Sequence, residues 1–167
     1  MAAPVKAVPD GYTTVTPWII GADTAGLMDW LTRAFGAEDL GRVVGPDGRI
    51  GHAEMRIGSA IVMLFDAPED WPPTPAFLRL YLDDADAVFA KAVAAGGEPV
   101  TQVTHLAFGD KVGRVRDPFG NLWWIQQRVE DLTEEEVGRR WMEPKWAEAM
   151  AYVQNSLSVD RLRVEKR

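Results

Sequence analysis

One order of elements occurs twice in this chain: a strand, a helix, then three strands. "TTVTPWIIG" (13–21) alternates as a strand does. "DTAGLMDWLTRAFGAE" follows, with Leu27, Trp30, Leu31 and Phe35 at helical spacing and Gly36 as a stop signal. "DLGRVVGPDGR" reads as a short strand ending in a turn, and "IGHAEMRIG" and "AIVMLFD" as strands joined tightly at Gly58–Ser59. From "FLRLYLDD" the order begins again. The helix "DADAVFAKAVAAGGE" halts at Gly96–Gly97, the strand "PVTQVTHLA" follows, and "KVGRVRDPFGNLWWIQQ" is a hairpin turning at Asp117–Pro118–Phe119–Gly120–Asn121. "GAE" at 36–38 recurs as "GGE" at 96–98, and Arg56 and Arg116 stand before matching turns. An internal duplication of βαβββ modules, about 12–67 and 76–128, constrains the fold more than any single motif. The expected class is α+β: two tandem modules forming a cupped mixed sheet over residues 12–131, with a C-terminal helical extension at 132–167.

At 167 residues and 47% hydrophobic content, the chain can bury a core shared by two such modules. Its formal net charge of -7 lacks the basic footprint that nucleic-acid binding needs. Without cysteine there is no disulfide framework, thiol nucleophile or thiolate metal site. "MAAPVKAVPDGY" has no apolar run suited to a signal peptide and no later run suits a membrane span, so a cytoplasmic location is expected.

Trp123 and Trp124 are neighbours in a strand and must point to opposite faces. Val62, Leu64, Trp123 and Ile125 are expected to pack on the helices, since their hairpin partners Ala53, Met55 and Val115 are apolar too. The other face carries Ile61, Met63 and Phe65 in the first module and Leu122, Trp124 and Gln126 in the second. His52, Glu54, Arg56, Arg114 and Arg116 join it across the hairpins, and Thr14, Thr16, Trp18, Phe77, Arg79 and Tyr81 from the first strands. Large aromatics mixed with charges describe the wall of a ligand cleft, where apolar area binds and a few polar groups orient.

The paired βαβββ modules and "DPFGN" before the last strand resemble the vicinal-oxygen-chelate superfamily of glyoxalase I, extradiol dioxygenases and bleomycin-resistance proteins. "GHAEMRIGSAIVML", "GRVRDPFGNLWWI" and "VEDLTEEE" look most like its PhnB-like branch. The superfamily's metalloenzymes take His, Gln or Glu ligands from the first and last strand of each module. Here the matching positions hold Thr16, Met63, Phe77 and Trp124, which do not suit a hard or borderline divalent cation. No metal or other cofactor is therefore expected. The resemblance implies a homodimer that binds a flat, partly apolar small molecule, such as an antibiotic or secondary metabolite. Thr16, Trp18, Met63, Phe65, Phe77, Arg79, Tyr81, Arg114, Arg116, Trp124 and Gln126 are the candidate lining residues.

His52 and Glu54 share a strand face, and as a catalytic pair they can serve as general base and orienting partner, or as half of a relocated metal site. Equally, they can form an ion-paired group beneath the cleft with Arg56 or Arg114. Arg114 and Arg116 can grip an anionic ligand group or balance Glu54 and Asp117. On the enzyme reading, the chain is a lyase, isomerase or dioxygenase-like protein. In the extension, Thr133 and Glu136 have capping-box spacing. Beyond Pro144, Trp146, Met150, Val153 and Leu157 form a helical stripe expected to meet a partner subunit, or else its own domain or cleft.

Overall fold

The computed structural model describes residues 5–72 and 74–157. Two compact units divide between Ala76 and Phe77. The first holds β1 (Trp18–Gly21), α1 (Thr24–Phe35), β2 (Glu38–Val44), β3 (Ile50–Ile57) and β4 (Ala60–Asp66). The second repeats them as β5 (Phe77–Tyr81), α2 (Ala85–Ala94), β6 (Glu98–His105), β7 (Asp110–Arg116) and β8 (Leu122–Arg128). It then adds α3 (Glu134–Trp141) and α4 (Pro144–Asn155). Each unit forms its own four-stranded mixed sheet, in the orders β1-β4-β3-β2 and β5-β8-β7-β6. In both, the first strand pairs parallel with the last, and the other pairings are antiparallel. No helix among the described residues is long and apolar enough to cross a membrane.

Local chemistry sets the boundaries. Gly36 ends α1 in the left-handed conformation (φ 66°), where a Cβ would be strained. Gly58 takes φ 57° in the two-residue turn between β3 and β4, as the twist of such a hairpin requires. The first strand is shorter than the alternation of 13–21 predicts. Thr13 and Thr16 turn their hydroxyls onto nearby backbone carbonyls, and regular pairing starts after Pro17. Thr16 therefore stands ahead of the sheet, not within it.

Alternation sorts the two cores. In the first unit Ile19, Ala53, Met55, Val62 and Leu64 are buried, as are Leu27, Met28, Trp30 and Leu31 of α1. In the second, Val115, Trp123 and Ile125 are buried, as are Phe89 and Ala92 of α2. One fastener recurs with different chemistry. Asp66, ending β4, accepts the N–H of Thr24 at the start of α1 (2.8 Å) and that of Ile50 at the start of β3 (2.7 Å). Gln127, in β8, accepts the N–H of Ala85 at the start of α2 (3.1 Å). Burial alone would raise the Asp66 carboxyl, but the N–H donors of Ile50 and Thr24 outweigh it and hold it below its ordinary value.

Candidate functional site

The sheet face of the first unit turned away from α1 carries an aromatic chain. Trp18 meets Phe65 edge-on with centroids 5.3 Å apart, and Phe65 meets Trp71 at 5.9 Å. Trp18 sits beside Met63 in register. Trp18 and Trp71 remain 47% and 50% exposed, so the ring surface is available to a ligand. His52 lies edge-on to Trp18 at 5.9 Å, and its Nε2 is 3.1 Å from Glu54 Oε1. The Tyr12 hydroxyl donates to the same carboxylate. The Tyr12 bond foremost, and then the His52 contact, hold the Glu54 carboxyl below its ordinary value, and the Tyr12 phenol is raised in turn.

The sequence pairing of His52 with Glu54 is thus met in space, but the basic partners differ from those expected. Arg56 reaches Glu38 (3.5 Å) and Arg116 reaches Glu98 (3.7 Å). Asp117 is buried among the N–H groups of Phe119, Asn121 and Trp123 instead of facing an arginine. Tyr12 and Trp71 are additions that sequence reasoning missed. Both lie in turn-rich segments, where no periodicity assigns a face. The nearest signal for either was aromatic identity beside a strand end.

In the second unit the corresponding face is largely covered. Trp124 meets Phe77 edge-on (5.9 Å) and lies under two guanidiniums, Arg114 at 4.0 Å and Arg79 at 4.5 Å from the ring centre. Phe77, Arg79 and Tyr81 stay exposed on β5. Val153 of α4 packs with Leu106 and Val112, with Met150, Ala149 and Trp124 around them. Arg114 donates to the Val153 carbonyl (2.7 Å), Thr101 and Ser156 share a hydrogen bond (2.7 Å), and Tyr152 accepts the N–H of Gln102 (2.9 Å). Two members of the α4 stripe, Met150 and Val153, are therefore spent within their own unit. Arg114 and Gln126, expected to line an open cleft, are buried, with Gln126 donating to Asp110.

At the far end of α4, Trp146 packs edge-on to His105 (5.2 Å) and beneath Arg140 and Lys145. Arg140 forks onto Glu130 at 2.5 and 2.8 Å, and His105 comes within 2.9 Å of the same carboxylate. Arg140 holds the Glu130 carboxyl down at about 2. The capping box expected at α3 is present, with the Thr133 and Glu136 side chains each accepting the other's backbone N–H.

Thr16, Met63, Phe77 and Trp124 offer no adequate donor set for a divalent cation. Among the described residues no three His, Asp or Glu side chains gather closely enough to hold a metal ion. The residues present do not fit one.

Residues 12–125 match the profile described as the Glyoxalase/Bleomycin resistance protein/Dioxygenase superfamily. The chain is similar to the uncharacterized protein Mb0911c of Mycobacterium bovis, 36% identical over 134 residues covering 74% of this chain and 88% of that protein. The uncharacterized protein Rv0887c of Mycobacterium tuberculosis has the same identity over the same length, covering 79% of that protein. Among solved structures, TioX from Micromonospora sp. ML1 aligns with a TM-score of 0.60 and 27% identity, over 70% of this chain and 99% of that one. A PhnB protein from Bacillus cereus aligns at 0.56 and 20% identity, over 71% and 100%, a likeness of fold.

Proposed function

The chain belongs to the glyoxalase/bleomycin resistance protein/dioxygenase superfamily, and on that premise we propose that it is a metal-independent small-molecule-binding protein. It holds a flat, partly apolar compound, an antibiotic or secondary metabolite, against the aromatic face of the first unit. The observation that carries this reading is the chain Trp18–Phe65–Trp71, two of whose rings are half exposed although a folded chain ordinarily covers such area. Glu54, kept ionised by Tyr12 and His52, supplies an orienting polar group at its edge. Native mass spectrometry of protein purified from its own cells is expected to show one small molecule released unchanged. With that compound, Trp18→Ala and Trp71→Ala should each weaken binding by about 1–3 kcal/mol. Binding unaltered in both variants refutes the assigned face.

A second reading has its own observation, the His52–Glu54–Tyr12 relay. A carboxylate with a lowered pKa is a weak base, so Glu54 would orient His52 by accepting from Nε2. The Nδ1 atom would then take the proton, as in a lyase or isomerase. Turnover of the retained compound that disappears in a folded His52→Ala variant would establish this reading and overturn simple sequestration. The assembly that goes with either reading is a homodimer. Support comes from β2, an edge strand exposed along its length that leaves Leu40, Val43 and Val44 uncovered.

A further inference from the structure

A guanidinium carries five N–H donors and a charge that cannot be shed near neutrality. Arg114 stands mid-strand in β7 and is only 3% exposed. Its Nη1 donates to Thr101 Oγ1 (3.0 Å) and the Val153 carbonyl (2.7 Å), both neutral acceptors. Its Nε has no partner, and no carboxylate among the described residues lies within ion-pairing distance. The Val153 carbonyl belongs to the last turn of α4, where helix carbonyls lack intrahelical partners and present the negative end of the dipole. That is partial compensation only.

The neighbours deepen the deficit. Arg79 places a second positive charge on the same indole, and burial together with Arg79 lowers the Arg114 pKa. Trp124 Nε1, beside it, is buried without an acceptor. Asp110, the carboxylate on this face of β7, stands four residues away, roughly 13 Å along a strand, and is engaged by Gln126. Arg114, buried without a counter-ion beside a second cation and with two unpaired N–H donors, its own Nε and Trp124 Nε1, is destabilised unless something supplies negative charge.

We infer that Arg79, Arg114 and Trp124 form a binding site for the anionic group of a small molecule, a carboxylate or phosphate, whose oxygens take the donors left over. The site lies wholly in the second unit and does not rest on the aromatic face of the first. Arg79, on the exposed side, is the point of entry. A planar oxyanion can accept forked bonds from guanidinium while its body lies against the exposed ring of Phe77.

The test is a titration of the full chain with inorganic phosphate and, separately, with benzoate, at constant ionic strength. Arginine Nε–Hε resonances are followed by nuclear magnetic resonance. A saturable shift of the Arg114 Nε–Hε signal with at least one probe is expected, and the probe that saturates names the anion class. Arg79→Gln alters an exposed side chain and should keep the fold, visible in the same spectra, yet weaken binding by ~10-fold or more. Arg114→Lys should weaken it similarly by removing the fork; should that variant not fold, Arg79→Gln decides. No saturable shift with either probe up to about 50 mM, far above a millimolar Kd, overturns the site. So does undiminished binding in folded Arg79→Gln.

Discussion

Replacing Trp123 with phenylalanine separates the two faces of β8 energetically. The Trp123 side chain is fully buried, and its Nε1 donates to Asp117 Oδ2 at 2.8 Å. Asp117, itself buried, also accepts from Asn121 Nδ2 and from the N–H groups of Phe119 and Asn121, all at 2.8–2.9 Å. Burial nevertheless raises its carboxyl above the ordinary value, so these donors do not fully replace water. Trp123→Phe removes a bond to a charged acceptor, worth about 1.5–3 kcal/mol. It also deletes ring atoms equal to roughly two methylenes, about 1.5 kcal/mol. A loss of about 3–4 kcal/mol in urea unfolding follows, a large share of the 5–15 kcal/mol typical of a domain. The pH dependence has a fixed sign. With a folded-state pKa raised above the unfolded value, the stability tied to Asp117 is greatest at low pH and declines as pH rises through the folded value. Losing a donor raises that value further, so the gap between variant and native protein should widen as pH rises above the ordinary carboxylate range. Trp124→Phe, whose Nε1 has no partner to lose, should cost under about 1 kcal/mol. Equal losses at the two positions, or a gap that narrows as pH rises, would refute the reasoning.

Glu130 gives an opposite pH signature. Its folded carboxyl lies at about 2 against an ordinary 4.5, so the α3 clasp through Arg140 should be fully present above 4.5 and lost as pH falls toward 2. Amide exchange in α3 should report that loosening, and Glu130→Gln should abolish the slope. Light scattering is expected to give twice the 18.5 kDa chain mass, and a monomer would refute the dimer. Deleting residues 133–167 should cause aggregation by baring Leu106 and Val112, while the dimer contact at β2 persists in whatever remains soluble. Loss of the dimer in soluble truncated protein would place the contact in the tail instead.

Much of this was legible because strands alternate and repeats repeat. The opposite fates of Trp123 and Trp124, the left-handed stop at Gly36, the turn at Gly58 and the capping box at Thr133 all follow from local rules. Thr16 escaped because a hydroxyl competing for backbone carbonyls ahead of Pro17 breaks the strand without changing its apparent period. Alternation puts Arg114 and Gln126 on the face they share with Trp124, but a face pattern does not reveal its cover. That cover is α4, whose stripe was readable while its destination, a surface more than thirty residues back in the chain, was not. Tyr12 reaches Glu54 from the turn-rich segment before β1, a long-range contact that no spacing encodes.

The ties between the last strand and the helix of each module have a consequence for how an acidified molecule comes apart. Asp66 and Gln127 fasten the same two elements at equivalent places in the repeat, one with a carboxylate and the other with an amide. An amide does not titrate. As pH falls through the lowered Asp66 value, the first fastener gives up its charge and slackens its hold on α1 and β3, while its counterpart keeps its grip on α2. Two copies of one architecture thus carry unlike acid thresholds at a shared joint, and a single substitution, Asp66→Asn, would make the joints chemically alike.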